Sequence, residues 1–136
     1  MPWKRLELLT SRMRLATPAT NADISNAELA FDTEFSADYK DFLNYAAGGE
    51  GVIGKDTYVM LWTPSELKHL NDAYEVSRYA PGLLLFGSNG GGEAFAFDLR
   101  QPHLPVVAVP FVGMELDAIE PLAETFSEFL EKGWEL

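Results

Sequence analysis

Apolar and polar positions along the chain change period several times, and each change marks an element. Ser25-Asn-Ala-Glu28 has the form of a capping box, in which hydroxyl and carboxylate bond reciprocally to first-turn amides. It predicts a helix over about residues 26–34. Ser36 can cap a second helix, with Tyr39, Phe42 and Leu43 at core spacing. That helix is expected to stop at "AAGG", where Gly48 or Gly49 can take a left-handed C-cap conformation. "TYVMLW" (57–62) is a β-branched and aromatic run that predicts a buried strand. Thr63-Pro64-Ser65-Glu66 combines an N-cap, a proline at the first position and a Glu at the third, and starts a helix whose stripe is Leu67, Leu70 and Tyr74. Trp62 is expected in the core with Tyr74, as large aromatic residues usually are.

Three further strands follow: "LLLF" (83–86), "EAFAFDL" (93–99) and "PVVAVPFV" (105–112). The middle one has period two, with Phe95, Phe97 and Leu99 on one face and Ala94, Ala96 and Asp98 on the other. Pro121 is expected to open a last helix, with Lys132 in its final turn and Gly133 closing it. At 100° per residue this helix puts Leu122, Phe126, Phe129 and Leu130 on one face and Glu120, Glu124, Glu128, Glu131 and Glu135 on the other. Strands in succession favour antiparallel pairing, so the class is α+β.

Composition changes this picture little, but charge changes it more. The 136 residues suit a single domain with an ordinary globular balance, 47% apolar and 23% charged. No cysteine is present, so there is neither a disulfide framework nor a thiolate metal site, which fits the cytoplasm expected for the chain. No apolar run approaches a membrane span, and the start lacks a secretory signal's apolar segment. The net charge is −11, yet Lys4, Arg5, Arg12 and Arg14 outweigh Glu7 at the start. Residues 1–22 are therefore expected to be an ill-ordered basic arm and linker ahead of one domain over 23–136. The body beyond is strongly acidic, which repels nucleic acid and anionic lipid and favours a basic protein partner. Glu120, Glu124, Glu128 and Glu131, with Glu115 and Asp117 just before them, are the candidate contact residues.

The glycine-rich stretches do not carry nucleotide chemistry. "GSNGGGE" (87–93) has Glu93 where a P-loop needs lysine and a hydroxyl, and a strand where a Rossmann turn needs a helix. "GEGVIG" (49–54) matches G-x-G-x-x-G by letter, but a helix precedes it and a strand follows. His69 and His103 are the only histidines, lack metal-ligand spacing and read as surface residues, so no metal or cofactor is expected. No G-x-S-x-G elbow anchors a nucleophile. Glu93 and Asp98, five residues apart on one strand, point to opposite faces and do not make an acid–base pair.

Taken together, "FSADYKDFLNYAAGGEG", "LWTPSEL", "FGSNGGGEAFAFD" and the closing "TFSEFL" resemble the Smi/Knr domain family of the SUKH superfamily over about residues 26–132. Two positions depart from its pattern: Phe35-Ser36 stands where Leu-Pro is usual, and Ala47 where Asn commonly precedes the glycines. The resemblance implies a largely antiparallel sheet of about four to six strands with helices packed against it. It implies binding rather than catalysis, since the family has no shared catalytic residues. Many bacterial members look like immunity proteins that neutralise toxins, often nucleases, and fungal relatives act as regulators. In that setting Gly48, Gly49, Gly87, Gly91 and Gly92 are turn elements, and Phe95 and Phe97 fill the core.

Overall fold

The computed structural model describes residues 2–135; Met1 and Leu136, at the outer ends of the expected arm and domain, lie outside them. Among the described residues, seven antiparallel strands form one sheet whose spatial order is the order of the chain. They are β1 (Met13–Leu15), β2 (Gly49–Ile53), β3 (Thr57–Leu61), β4 (Leu83–Ser88), β5 (Glu93–Asp98), β6 (Val106–Pro110) and β7 (Glu120–Ala123). The helices are α1 (Trp3–Leu9), α2 (Asn21–Phe31), α3 (Ala37–Tyr45), α4 (Pro64–Ala73), α5 (Val76–Tyr79) and α6 (Phe126–Lys132). The α+β class is as expected, and the sheet is wider than the expected four to six strands.

The extra strands come from the two ends of the chain. Residues 1–22 were expected as an ill-ordered arm, but α1 buries Leu6 in the core and β1 pairs with β2 from Met13↔Gly51 to Leu15↔Gly49. Arg12 donates through Nη2 to the carbonyls of Gly54 and Lys55, and Arg5 forms an ion pair with Glu131. Two of the four basic residues that read as an arm, Arg5 and Arg12, thus tie the segment down. "GEGVIG" is itself β2 and its turn. A Cβ on Gly49 or Gly51 would strike the β1 backbone, so these glycines admit β1 at close range.

At the other end, residues 120–123 are strand rather than helix. Pro121 lacks an N–H, which suits an edge strand as well as a first helical turn. Pairing with β6 (Val107↔Pro121, Val106↔Ala123) takes it. The helix begins later, where the Glu128 amide donates to Thr125 Oγ1 at 3.1 Å. Further corrections have equally local causes. α2 starts at Asn21 because Thr20 and Asp23 form the reciprocal box (3.1 Å each way), while Glu28 accepts from the Phe35 amide instead. α3 ends on Ala46 in extended backbone, so neither Gly48 nor Gly49 is a left-handed cap.

The main core lies on one face of the sheet. Leu6, Ile24, Ala27, Tyr39, Phe42, Leu43, Phe126, Phe129 and Leu130 from the helices meet Ile53, Val59, Leu84, Phe86, Phe95 and Phe97 from the strands. Phe86 and Phe97 stack at 4.4 Å, and Tyr39 leans on Phe97 and Phe126 at 4.8 and 4.9 Å. Such pairs add about 0.5–1.5 kcal/mol each beyond the area they bury. The other face of β4–β6 is covered too: Leu83, Leu85, Ala94, Ala96, Val107 and Val109 pack against Val76, Ala80 and Met114. Both faces of β5 are therefore buried, the small alanines giving room for the covering layer.

β3 and β4 pair only at Met60↔Ser88 and Leu61↔Gly87, beside the bulge at Phe86. Buried Asn71 of α4 fills the gap, accepting from the Leu85 amide (2.9 Å) and donating to the Leu85 and Leu67 carbonyls (2.9 and 2.8 Å). The predicted α4 stripe is correct at Leu67 and wrong at Tyr74. Tyr74 caps the helix, 42% exposed, and packs its ring on half-buried Trp62 and Phe111.

Candidate protein-binding surface

The antiparallel register brings one set of connections to one end of the sheet. β2 ends and β3 starts there (Ile53↔Thr57), β5 starts opposite the end of β6 (Glu93↔Pro110), and β7 starts there at Glu120. Asp56, Glu93, Glu115, Asp117 and Glu120 therefore share this end, with Glu115 and Asp117 on the connection between β6 and β7. Asp56, Glu115, Asp117 and Glu120 are exposed and Glu93 is half-buried. Burial, and secondly the nearby Glu120 charge, push the Glu93 carboxyl above its ordinary range.

The "GSNGGGE" turn is the frame of this end. Asn89 Oδ1 accepts from the amides of Gly91 (2.8 Å) and Glu93 (3.1 Å), and the Asn89 amide donates to the Glu93 carbonyl at 3.0 Å. Gly92, at φ +106°, closes the turn in a conformation that L side chains rarely adopt, whereas Gly91 has no positive φ. Between this turn, the β2–β3 turn and Trp134 lies a groove of about 400 Å³. Asp56, Thr57, Tyr58, Asn89, Glu93 and Trp134 line it.

The opposite end handles carboxylates differently. Asp98 is buried, and Arg100 grips it through Nε (2.9 Å), Nη2 (3.0 Å) and its amide (3.0 Å), with Gln101 adding a fourth bond at 3.1 Å. These bonds, the Arg100 side chain foremost, hold Asp98 below the usual carboxylate range despite its burial. Glu93 and Asp98 thus sit at opposite ends of β5 and cannot converge on one bond. His103 and His69 are both exposed. His103 Nε2 pairs with Glu124 at 2.8 Å.

The predicted ridge of glutamates is divided by the fold. Glu124 is engaged by His103, Glu128 by Lys132 (3.2 Å) and Glu131 by Arg5. Glu120 belongs to β7 and joins Glu115 and Asp117 at the first end. Asp56 and Glu93 complete that group, and the sequence reading missed them as contact residues because only strand register brings them to the end of the sheet that holds Glu120. Among the described residues, no cluster of His, Asp or Glu has the arrangement of a metal site, and no helix is long and apolar enough to cross a membrane.

A single antiparallel sheet, layered by helices and anionic at one end, defines an α+β domain whose outstanding surface feature is charge. A sequence model of the SMI1 / KNR4 family (SUKH-1) matches residues 18–132, and the chain belongs to that family. Comparison with individual curated proteins gives no match.

Proposed function

We propose that this chain is a non-catalytic protein-binding domain of the immunity type, which neutralises a toxin by occupying a basic surface on it. The observation that carries this reading is the uncompensated charge at one end of the sheet. Among the described residues, Glu93, Glu115, Asp117 and Glu120 have no ion-pair partner, whereas Glu128 and Glu131 pair with Lys132 and Arg5, and Glu124 is hydrogen-bonded to His103. Like charges held together by a fold cost stability unless a partner compensates them. A nuclease toxin, whose substrate groove must attract phosphates, would supply that compensation. Family membership supports binding, and the acid excess of the body supports a basic partner.

In this proposal Glu115, Asp117 and Glu120 steer association, and Glu124, Glu128 and Glu131 contribute less because each side chain is already engaged within the chain. The test is affinity capture from the native cell, followed by titration of the captured protein at low and moderate salt. A basic toxin encoded beside this chain supports the reading. Capture of a housekeeping protein, with no toxin gene adjacent, would replace it with the regulatory role known among fungal relatives.

A further inference from the structure

We propose that the groove between Asp56, Tyr58, Glu93 and Trp134 receives an arginine side chain of the partner. The inference rests on the protein-binding reading above and names the chemistry of its central contact. Three observations on the groove lead to it.

The walls are fixed before anything binds. Tyr58 Oη donates to the Glu50 carboxylate, which orients the ring. The Trp134 amide donates to Thr57 Oγ1 at 2.9 Å and its indole sits edge-on to Phe95 at 6.3 Å. Asn89 holds the backbone of Glu93. A preorganised groove saves the ordering cost that otherwise subtracts from affinity.

The occupant must be a cation. Glu93 is partly buried in the groove wall, no donor among the described residues reaches its carboxylate, and Glu120 repels its charge. Any group that covers the groove removes more water from that carboxylate. An apolar or anionic group would leave it buried and unpaired, which is strongly unfavourable, while a cationic donor repays the loss.

The lining selects a guanidinium over an ammonium. Two carboxylates and two aromatic rings surround one space. A guanidinium offers several donors in a plane and stacks on rings with its faces, whereas an ammonium is a compact and strongly hydrated point. A neighbouring hollow that shares Asp56, Thr57 and Trp134 has a different character, because Lys55 and Lys132 line it together with Glu135.

The experiment is a two-dimensional ¹H–¹⁵N NMR titration of the full chain with N-acetyl-arginine methylamide. N-acetyl-lysine methylamide and the neutral isostere N-acetyl-citrulline methylamide serve as comparisons. The arginine probe should shift the Trp134 indole resonance and the Asn89 and Glu93 amides saturably, with a dissociation constant on the order of tens of millimolar. Lysine should bind at least about threefold more weakly, and citrulline should give no saturable shift. Glu93→Gln and, separately, Asp56→Asn should each weaken the arginine response about threefold or more. Equal responses to arginine and citrulline, shifts spread without saturation over the whole acidic end, or indifference to both substitutions would overturn the proposal. The probe needs no partner protein. A negative titration removes the arginine groove and leaves the binding reading standing, and a positive titration beside failed capture does the reverse.

Discussion

The two ends of β5 carry one carboxylate each and treat it in opposite ways. Asp98 is the more deeply buried, yet four donors keep it ionised, and it fixes the 98–105 connection. Glu93 is less buried, has no donor on its carboxylate among the described residues, and faces another carboxylate instead. Burial alone does not decide the state of an acid; the supply of donors does. The chain spends its donors at the end that holds the fold and leaves the other end electrostatically unsatisfied. An unsatisfied end is costly in isolation and useful only when something else completes it.

The contrast can be broken most severely at its satisfied end. Asp98→Asn removes the ion pair between buried Asp98 and exposed Arg100 and should cost about 1–3 kcal/mol, read from urea unfolding at neutral pH. An unchanged midpoint would show that Arg100 and Gln101 do not hold the turn. Next in size, reversing Glu115, Asp117 and Glu120 to lysine should slow association with the captured partner about 10–100-fold at low salt and flatten its salt dependence. The matched reversal of Glu124, Glu128 and Glu131 should affect association far less, and equal effects from the two triple variants would erase the distinction between the ends. A third substitution sharpens the frame itself. Gly92→Val should cost about 1–3 kcal/mol from its positive φ, and Gly91→Val within about 0.5 kcal/mol, as thermal unfolding of each single variant would show.

The smallest effect has the most informative sign. The Glu93 carboxyl lies above its ordinary range in the folded chain, so its contribution to stability is fully present below the unfolded value and is lost as pH rises through the folded one. Asp98 has a lowered carboxyl, so its contribution is present above the unfolded value and is lost as pH falls through the folded one. Glu93→Gln should therefore be neutral to slightly stabilising at pH 7, by up to about 0.5 kcal/mol, and the gain should vanish in acid. Unfolding midpoints measured from pH 3 to 7 for wild type, Glu93→Gln and Asp98→Asn check both signs; parallel curves for the two variants would contradict the account.

Much of the architecture was legible from local pattern, and the errors share a cause. Thr63 to Glu66 and the strands after Leu83 announce themselves because a cap, a proline and a period agree. At the start of α2 two capping boxes compete five residues apart, and the choice rests with Ile24 and Ala27 reaching the core. Pro121 suits a helix start and an edge strand equally, and only β6 decides. Tyr74 was placed inside by its size, whereas polar Asn71 is the buried residue because β4 leaves a carbonyl and an amide for it to satisfy. Half of the candidate acids gather at one end for the same reason. Register, a long-range property, brings Glu93 to Glu120, and no spacing along the chain records it.

Gly49 and Gly51 have an implication for how the domain can be handled. The family match begins at residue 18, so it invites trimming of the seventeen residues before it. That cut would remove β1 and α1 and leave β2 as the outermost strand, its ladder groups facing water across a surface bare of side chains at both glycines. An unguarded, flat edge of this kind is a template for another chain's strand. A trimmed domain would then acquire a self-adhesive margin, associating edge to edge at concentrations where the full chain does not.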